Sequence, residues 1–273
     1  MRASSVAIAV VCLCLLGGCS INPVTGQKEL ILIPESQEIA MGVSAAPELE
    51  KEFGGKVADA QVQSYVQGLG AKLATISDRP EMPWEFALVS SKVPNAFALP
   101  GGKVFVTAGL FRSLTNERQL AAVLGHEIGH VCAKHNVKGM QRQMGASVLA
   151  ELAGKVGGEQ AEAAKAAASV AASMVVLKYS RDDEYQADSL GIKYMAKAGY
   201  NPYGMVETLE FLQTLGSKDE SKFGEMFQTH PLSSERVKEA KATVSSGYPQ
   251  ASPGQGDPRV ATFMAMRNRL GPN

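Results

Sequence analysis

The sequence predicts a mainly helical α+β domain with one small β-sheet, and two observations carry that expectation. Apolar residues recur at helical spacing over most of the chain, as in Val62, Tyr65, Val66, Leu69, Leu73 and Ile76. Residues 84–111 change character, with β-formers clustered on both sides of Pro100-Gly101-Gly102. A chain of 273 residues, 45% hydrophobic, is long enough to bury a full core. Its 27 basic and 27 acidic residues cancel, so no basic excess suggests a nucleic-acid partner and no acidic block suggests a disordered tail.

The first segment, residues 1–18, reads as a cleaved leader. Arg2 supplies a positive start, and the apolar run from Val6 to Leu16 is too short to span a bilayer, which takes about 20 residues. Leu16-Gly17-Gly18-Cys19 resembles a bacterial lipobox, which implies cleavage before Cys19 and acylation of that cysteine. Acyl chains there would hold the protein at a membrane without a spanning helix. Ser20 follows rather than an aspartate, which favours the outer membrane. Cys132 is then the one cysteine left unmodified in the mature chain, so no internal disulfide forms, and it is expected to be a small buried residue.

Residues 19–34 read as a lipidated tether that includes an extended piece, Glu29 to Ile33, stopped by Pro34. Helices are expected from Ser36 to about Phe53 and again after Asp59. Strands are expected over Trp84–Val89 and Lys103–Phe111, with Val93 to Pro100 between them. Such a sheet could hold an extended peptide along its edge by strand addition, or it could be an ordinary hairpin.

The next helix, with Thr115 as its expected cap, carries His126-Glu127-Ile128-Gly129-His130. Histidines at i and i+4 share one helix face and can bind one metal ion, with Glu127 close enough to act on a polarised water. At 100° per residue, Leu120, Leu124, Ile128 and Val131 form a buried arc separate from His126, Glu127 and His130. His135 falls about 140° from His130 on the same map, so it is expected to be a structural polar contact rather than a ligand.

Residues 139–178 are rich in Ala, Gly and Met. The longest uncharged run, Ala166 to Leu177, is too short and too weakly hydrophobic for a membrane span, so two helices near the cleft, a lid or plug, are expected. Ser180 should cap a helix that begins with an acidic turn and closes at Gly199. Another helix starts after Asn201-Pro202, and a short one runs from Ser233 to about Val244. The Pro, Gly and Ser content of Ser245 to Asp257 predicts a segment lying loosely on the surface.

Two histidines leave a catalytic zinc one protein ligand short. Among His135, Cys132, His230 and the acidic residues, Glu184 is the best third ligand. Asp188 lies one turn further on the same face, where one carboxylate can bind metal while the other accepts the free N–H of a ligating histidine. Four stretches then coincide in order and spacing: Asn95-Ala96-Phe97-Ala98, His126 to His130, Glu184 to Asp188, and Thr229-His230-Pro231. Together they resemble the zinc metallopeptidase family of the CAAX prenyl endopeptidase and the heat-shock membrane peptidases, in its small lipid-anchored periplasmic branch. The resemblance covers roughly residues 30–245, within an expected catalytic domain at 35–245 followed by a tail at 246–273.

That resemblance implies a gluzincin-type fold whose active-site helix packs against an edge-exposed sheet. It implies one Zn2+ on His126, His130 and Glu184, Glu127 as general base, and Asp188 behind a ligating histidine. His230 would steady the oxyanion, and Asn95 and Ala96 would line the substrate edge. The implied activity is endoproteolysis of misfolded or misassembled envelope proteins at the periplasmic face of the outer membrane. The alternative is a latent lipoprotein that mainly binds outer-membrane protein clients in a chaperone-like role or with assembly partners.

Overall fold

The computed structural model describes residues 19–145, 148, 151, 154–155, 158–218 and 220–271. The expected leader lies outside these, as does part of the 139–178 segment. The chain opens with strands β1 (Cys19–Ile21) and β2 (Lys28–Leu30), paired antiparallel. This stretch is docked rather than a free tether. Ile31 and Ile33 alternate into the core, Glu29 pairs with Lys138 at 3.0 Å, and Gln141 Nε2 donates to the Leu30 carbonyl.

Helix α1 (Glu35–Glu52) and helix α2 (Ala60–Ala74) follow, the second capped by Asp59, whose carboxylate accepts from the Gln61 and Val62 N–H groups. Strands β3 (Glu85–Val89), β4 (Ala96–Leu99) and β5 (Lys103–Thr107) then form a sheet of order β3-β5-β4. The pairing differs from the expected hairpin. The Pro100-Gly101-Gly102 turn joins β5 antiparallel to β4, while β3 runs parallel to β5. Gly101 and Gly102 have φ of 77° and 88°, the left-handed region that glycine enters without steric cost.

The expected strand from Lys103 also stops early. Thr107 accepts from the Leu110 N–H and so caps helix α3 (Ala108–Ser113). A Cβ on Gly109 would lie 2.1 Å from the Lys92 carbonyl oxygen, so this helix start needs glycine to sit beneath the preceding loop.

Helix α4 (Glu117–Cys132) is buried along its whole length. The separate buried and cleft-facing arcs expected for it are thus both covered. Its cap is Asn116 rather than Thr115: Asn116 Oδ1 accepts from the Gln119 N–H, and Gln119 Oε1 accepts from the Thr115 N–H. Helices α5 (His135–Met144), α6 (Gln160–Val175), α7 (Arg181–Lys197), α8 (Tyr203–Lys218), α9 (Glu220–Thr229), α10 (Ser234–Gly247) and α11 (Val260–Arg269) follow among the described residues. The core of the domain packs α4 between the sheet, α2 and α7, and α6 packs on α1.

Three glycines let α4 and α7 meet at backbone distance. A Cβ on Gly125 would stand 3.2 Å from the Gly191 Cα, and one on Gly129 would stand 3.0 Å from the Ala187 carbonyl oxygen. The C-terminal stretch is anchored, unlike the loose segment expected. Asp257 accepts the Arg118 N–H in the first turn of α4, Arg118 Nη1 donates to the Gln255 carbonyl, and Phe263 is fully buried against Phe111. No described helix is long and apolar enough to cross a membrane.

Candidate metal centre

The cluster is assembled by α4, α7 and the end of α9. His126 and His130, one turn apart on α4, turn their Nε2 atoms toward each other at 3.0 Å. The close α4–α7 approach brings Glu184 to them, with Oε1 3.3 Å from His130 Nε2 and Oε2 3.6 Å from His126 Nε2. Ser180 caps α7 in a full capping box with Asp183, which fixes the start of the helix that carries Glu184. His230, directly after α9, places Nδ1 3.1 Å from Glu184 Oε1 and 3.3 Å from His126 Nε2. One donor atom from each of these four buried residues falls within 4.8 Å of the others.

Asp188 stands behind the cluster, its Oδ1 2.8 Å from His126 Nδ1. A carboxylate only accepts, so His126 Nδ1 carries the proton and Nε2 offers a bare lone pair. That lone pair faces the Glu184 carboxylate in a buried site, an arrangement of acceptors that calls for a cation between them. The donor set of imidazole nitrogens and one carboxylate suits a divalent transition metal, so the residues present fit the ion.

Electrostatics keep the donors in their binding forms. Burial pushes His130 well below the usual imidazole range, helped by neighbouring His126. Burial alone would raise Glu184, but the Arg236 guanidinium and the histidines hold it well below the ordinary carboxylate range. Asp188 is likewise lowered against its burial by Arg236. Glu127 is raised by burial, and its Oε2 has no hydrogen-bond partner among the described residues. His230 is raised despite burial, because the Glu184 and Glu127 charges face it; its Nε2 lies 3.8 Å from Glu127 Oε1.

Ala96 of β4 lines a narrow, largely apolar cavity together with His126, Glu127, Met205, Leu209 and Phe227. Asn95 lines a second, smaller cavity with Phe97, Leu177, Tyr179, Thr229 and His230. Its Oδ1 accepts the Ala96 N–H. Leu177, from the segment expected to be a lid or plug, therefore borders the cleft, and Tyr179 stands just after that segment. Cys19 lies in β1, remote in sequence from these elements. Cys132 is buried, and burial raises its thiol pKa.

Sequence reasoning missed two neighbours. Arg236 of α10 contacts both Glu184 and Asp188, and Tyr179 stacks on His130 with ring centroids 3.9 Å apart. The signal for Arg236 was the surplus of buried carboxylates around 184–188, which requires a cation besides the metal. Arg236, Lys238 and Lys241 share one short helix, however, and the sequence does not separate them. Tyr179 carried no signal.

The profile of peptidase family M48 matches residues 60–244, which include every residue of the cluster. The chain belongs to peptidase family M48. By family this M48 chain is a metalloprotease. It is 31% identical over 227 residues to a beta-barrel assembly-enhancing protease of Yersinia pestis, covering 79% of this chain and 46% of that one. It is 30% identical over 191 residues to the protein of that name from Escherichia coli K12, covering 67% and 39%. It is 28% identical over 193 residues to metalloprotease YcaL of the same strain, covering 68% and 74%. The chain thus spans about half the length, or less, of the first two relatives.

Proposed function

We propose that this chain is a zinc-dependent endopeptidase, held by acyl chains on Cys19 to the periplasmic face of the outer membrane, that cleaves misfolded or misassembled envelope proteins. The observation that carries the reading is the convergence of bare acceptors from His126 and Glu184 with His130 beside Glu127. His126, His130 and Glu184 hold the zinc. Bound there, zinc supplies a Lewis acid that makes water reactive near neutral pH.

Glu127 takes a proton from the attacking water and returns it to the leaving amine, a role suited to a carboxylate that burial makes more basic than usual. His230, raised by its acidic neighbours, donates to the carbonyl oxygen as negative charge develops there. Asp188 orients His126 through its Nδ1–H, and Arg236 neutralises the buried carboxylates. The β4 edge at Asn95 and Ala96 receives the substrate backbone. The largely apolar lining beside Glu127 supports a preference for an apolar side chain next to the scissile bond. The names of the relatives support protein substrates, an envelope location and a part in outer-membrane protein assembly.

The decisive experiment measures zinc content and casein cleavage for wild type and Glu127→Gln. Bound zinc with cleavage lost in the variant supports the enzyme; cleavage by the variant at the wild-type rate overturns the role of Glu127. A second reading, a latent client-binding protein, draws on His230 Nδ1, which lies among the ligand atoms and would close the site with a fourth donor. Zinc without cleavage in wild type, with cleavage gained in His230→Ala, would favour it.

A further inference from the structure

We propose that His135 is the positioning partner of His130: its bare Nδ1 accepts the proton on His130 Nδ1 and thereby commits His130 Nε2 to the metal. The two Nδ1 atoms stand 3.0 Å apart, and both rings are buried. Two hydrogen-bonded nitrogens share one proton, so the rest of each ring decides which carries it. On the far side of His135, Nε2 lies 2.9 Å from Gln186 Oε1 and 3.4 Å from Asp183 Oδ1. The Asp183 carboxylate only accepts, so His135 carries its proton on Nε2 and leaves Nδ1 bare. His130 must then donate from Nδ1, which frees its Nε2 lone pair toward His126 and Glu184.

The backbone is arranged for this contact. A continuous helix would put residue 135 about 140° from residue 130. Instead α4 ends, and Lys134 adopts φ 58°, ψ 29°, the only left-handed non-glycine conformation among the described residues. A side chain other than glycine is strained in that conformation, and the turn it makes brings His135 back onto the rear of His130. The line of contacts also ends on a fixed point. Asp183 Oδ2 accepts from the Ser180 N–H at 3.0 Å and from Arg142 at 2.8 Å, as part of the cap of the helix that carries Glu184. His130 is thus oriented by the same capping box that places Glu184, while Asp188 does the equivalent for His126.

The inference rests on the zinc reading above, and the test separates the two. Zinc affinity is measured by competition with a chromophoric chelator for wild type, His135→Leu and His135→Asn. The leucine removes the acceptor, while asparagine sets a carbonyl oxygen near the position of Nδ1. The expected result is an affinity about 10–100-fold weaker for His135→Leu and within about threefold of wild type for His135→Asn. Melting in excess chelator is run on all three, since a packing role alone would lower the metal-free melting temperature of both variants alike.

A His135→Leu protein that binds zinc as tightly as wild type overturns the proposal, as does a His135→Asn protein as weak as His135→Leu. Wild type that binds no zinc overturns the metal reading instead. Long-range 1H–15N spectra of the zinc-loaded wild type need no variant to fold. They are expected to show His130 protonated at Nδ1 and His135 at Nε2, and a proton on His135 Nδ1 refutes the assignment.

Discussion

Arg236 grips Asp188 with two parallel hydrogen bonds, Nε to Oδ2 at 2.8 Å and Nη2 to Oδ1 at 2.7 Å, while its third nitrogen, Nη1, reaches Glu184. One guanidinium thus ties the residue behind His126 to the carboxylate that closes the cluster. A lysine offers a single point of charge and cannot make the fork. Arg236→Lys is therefore expected to weaken zinc binding about 10–100-fold. Arg236→Met leaves two buried carboxylates without their cation and is expected to cost about 3–5 kcal/mol of stability. Chelator competition and urea denaturation check the two outcomes.

Gly129→Ala separates site geometry from stability. Alanine is favoured over glycine inside a helix by about 1 kcal/mol. The added Cβ would meet the Ala187 backbone oxygen at 3.0 Å, so α4 and α7 must part by a few tenths of an ångström. The two effects on stability offset, whereas the distance from Glu184 to the histidines grows without compensation. The expected outcome is a metal-free melting temperature near that of wild type with zinc affinity lowered about tenfold, on the scale of losses for misplaced ligand support. An unchanged affinity would show that the glycine contact does not set the ligand spacing.

Metal removal should destabilise the whole domain, because the ligands come from separate elements, α4 and α7, with His230 after α9. Without the ion, buried acceptors that face one another lose their shared partner. At free zinc a hundredfold above Kd, binding adds about 2.7 kcal/mol to stability. Chelator is expected to lower the melting temperature reversibly, with zinc restoring it and magnesium, which prefers oxygen ligands, failing to do so. Differential scanning calorimetry with each metal checks this.

What the sequence made legible follows from the range of the physics involved. His126, Glu127 and His130 are fixed by helical spacing alone, and Glu184 with Asp188 by spacing plus the need for a third ligand, so local pattern sufficed to gather them. The sheet was misread because β4 and the start of α3 depend on pairing and capping partners, Thr107 with Asn95 and with Leu110, rather than on alternation. The 140° placement of His135 assumed a helix that continues, and the left-handed Lys134 that ends it has no residue-type signal. Asp257 and Phe263 were illegible for a related reason: their partners, Arg118 and Phe111, lie far away in sequence.

The C-terminal helix α11 should act as a clamp on α3 and the turn that leads into α4. Phe263 fills a site against Phe111, Arg112 donates to the Leu270 carbonyl at 2.7 Å, and Arg267 donates to the Leu114 carbonyl at 3.1 Å. Phe263→Ala is expected to cost about 3–5 kcal/mol, as truncation of a fully buried aromatic does. The end of the clamp has a pH signature. Arg269 bonds both Asp59 oxygens and holds that exposed carboxyl below its ordinary range. A depressed folded-state pKa contributes stability above the unfolded value, near pH 4, and loses it as pH falls through the folded value. Arg269→Gln should therefore melt below wild type by a gap that is constant from pH 5 to 8 and closes toward pH 3. The gap should also narrow with added salt, because the pair is open to solvent. A gap that persists unchanged at pH 3 would mean that Arg269 holds α11 through its aliphatic stem rather than through its charge.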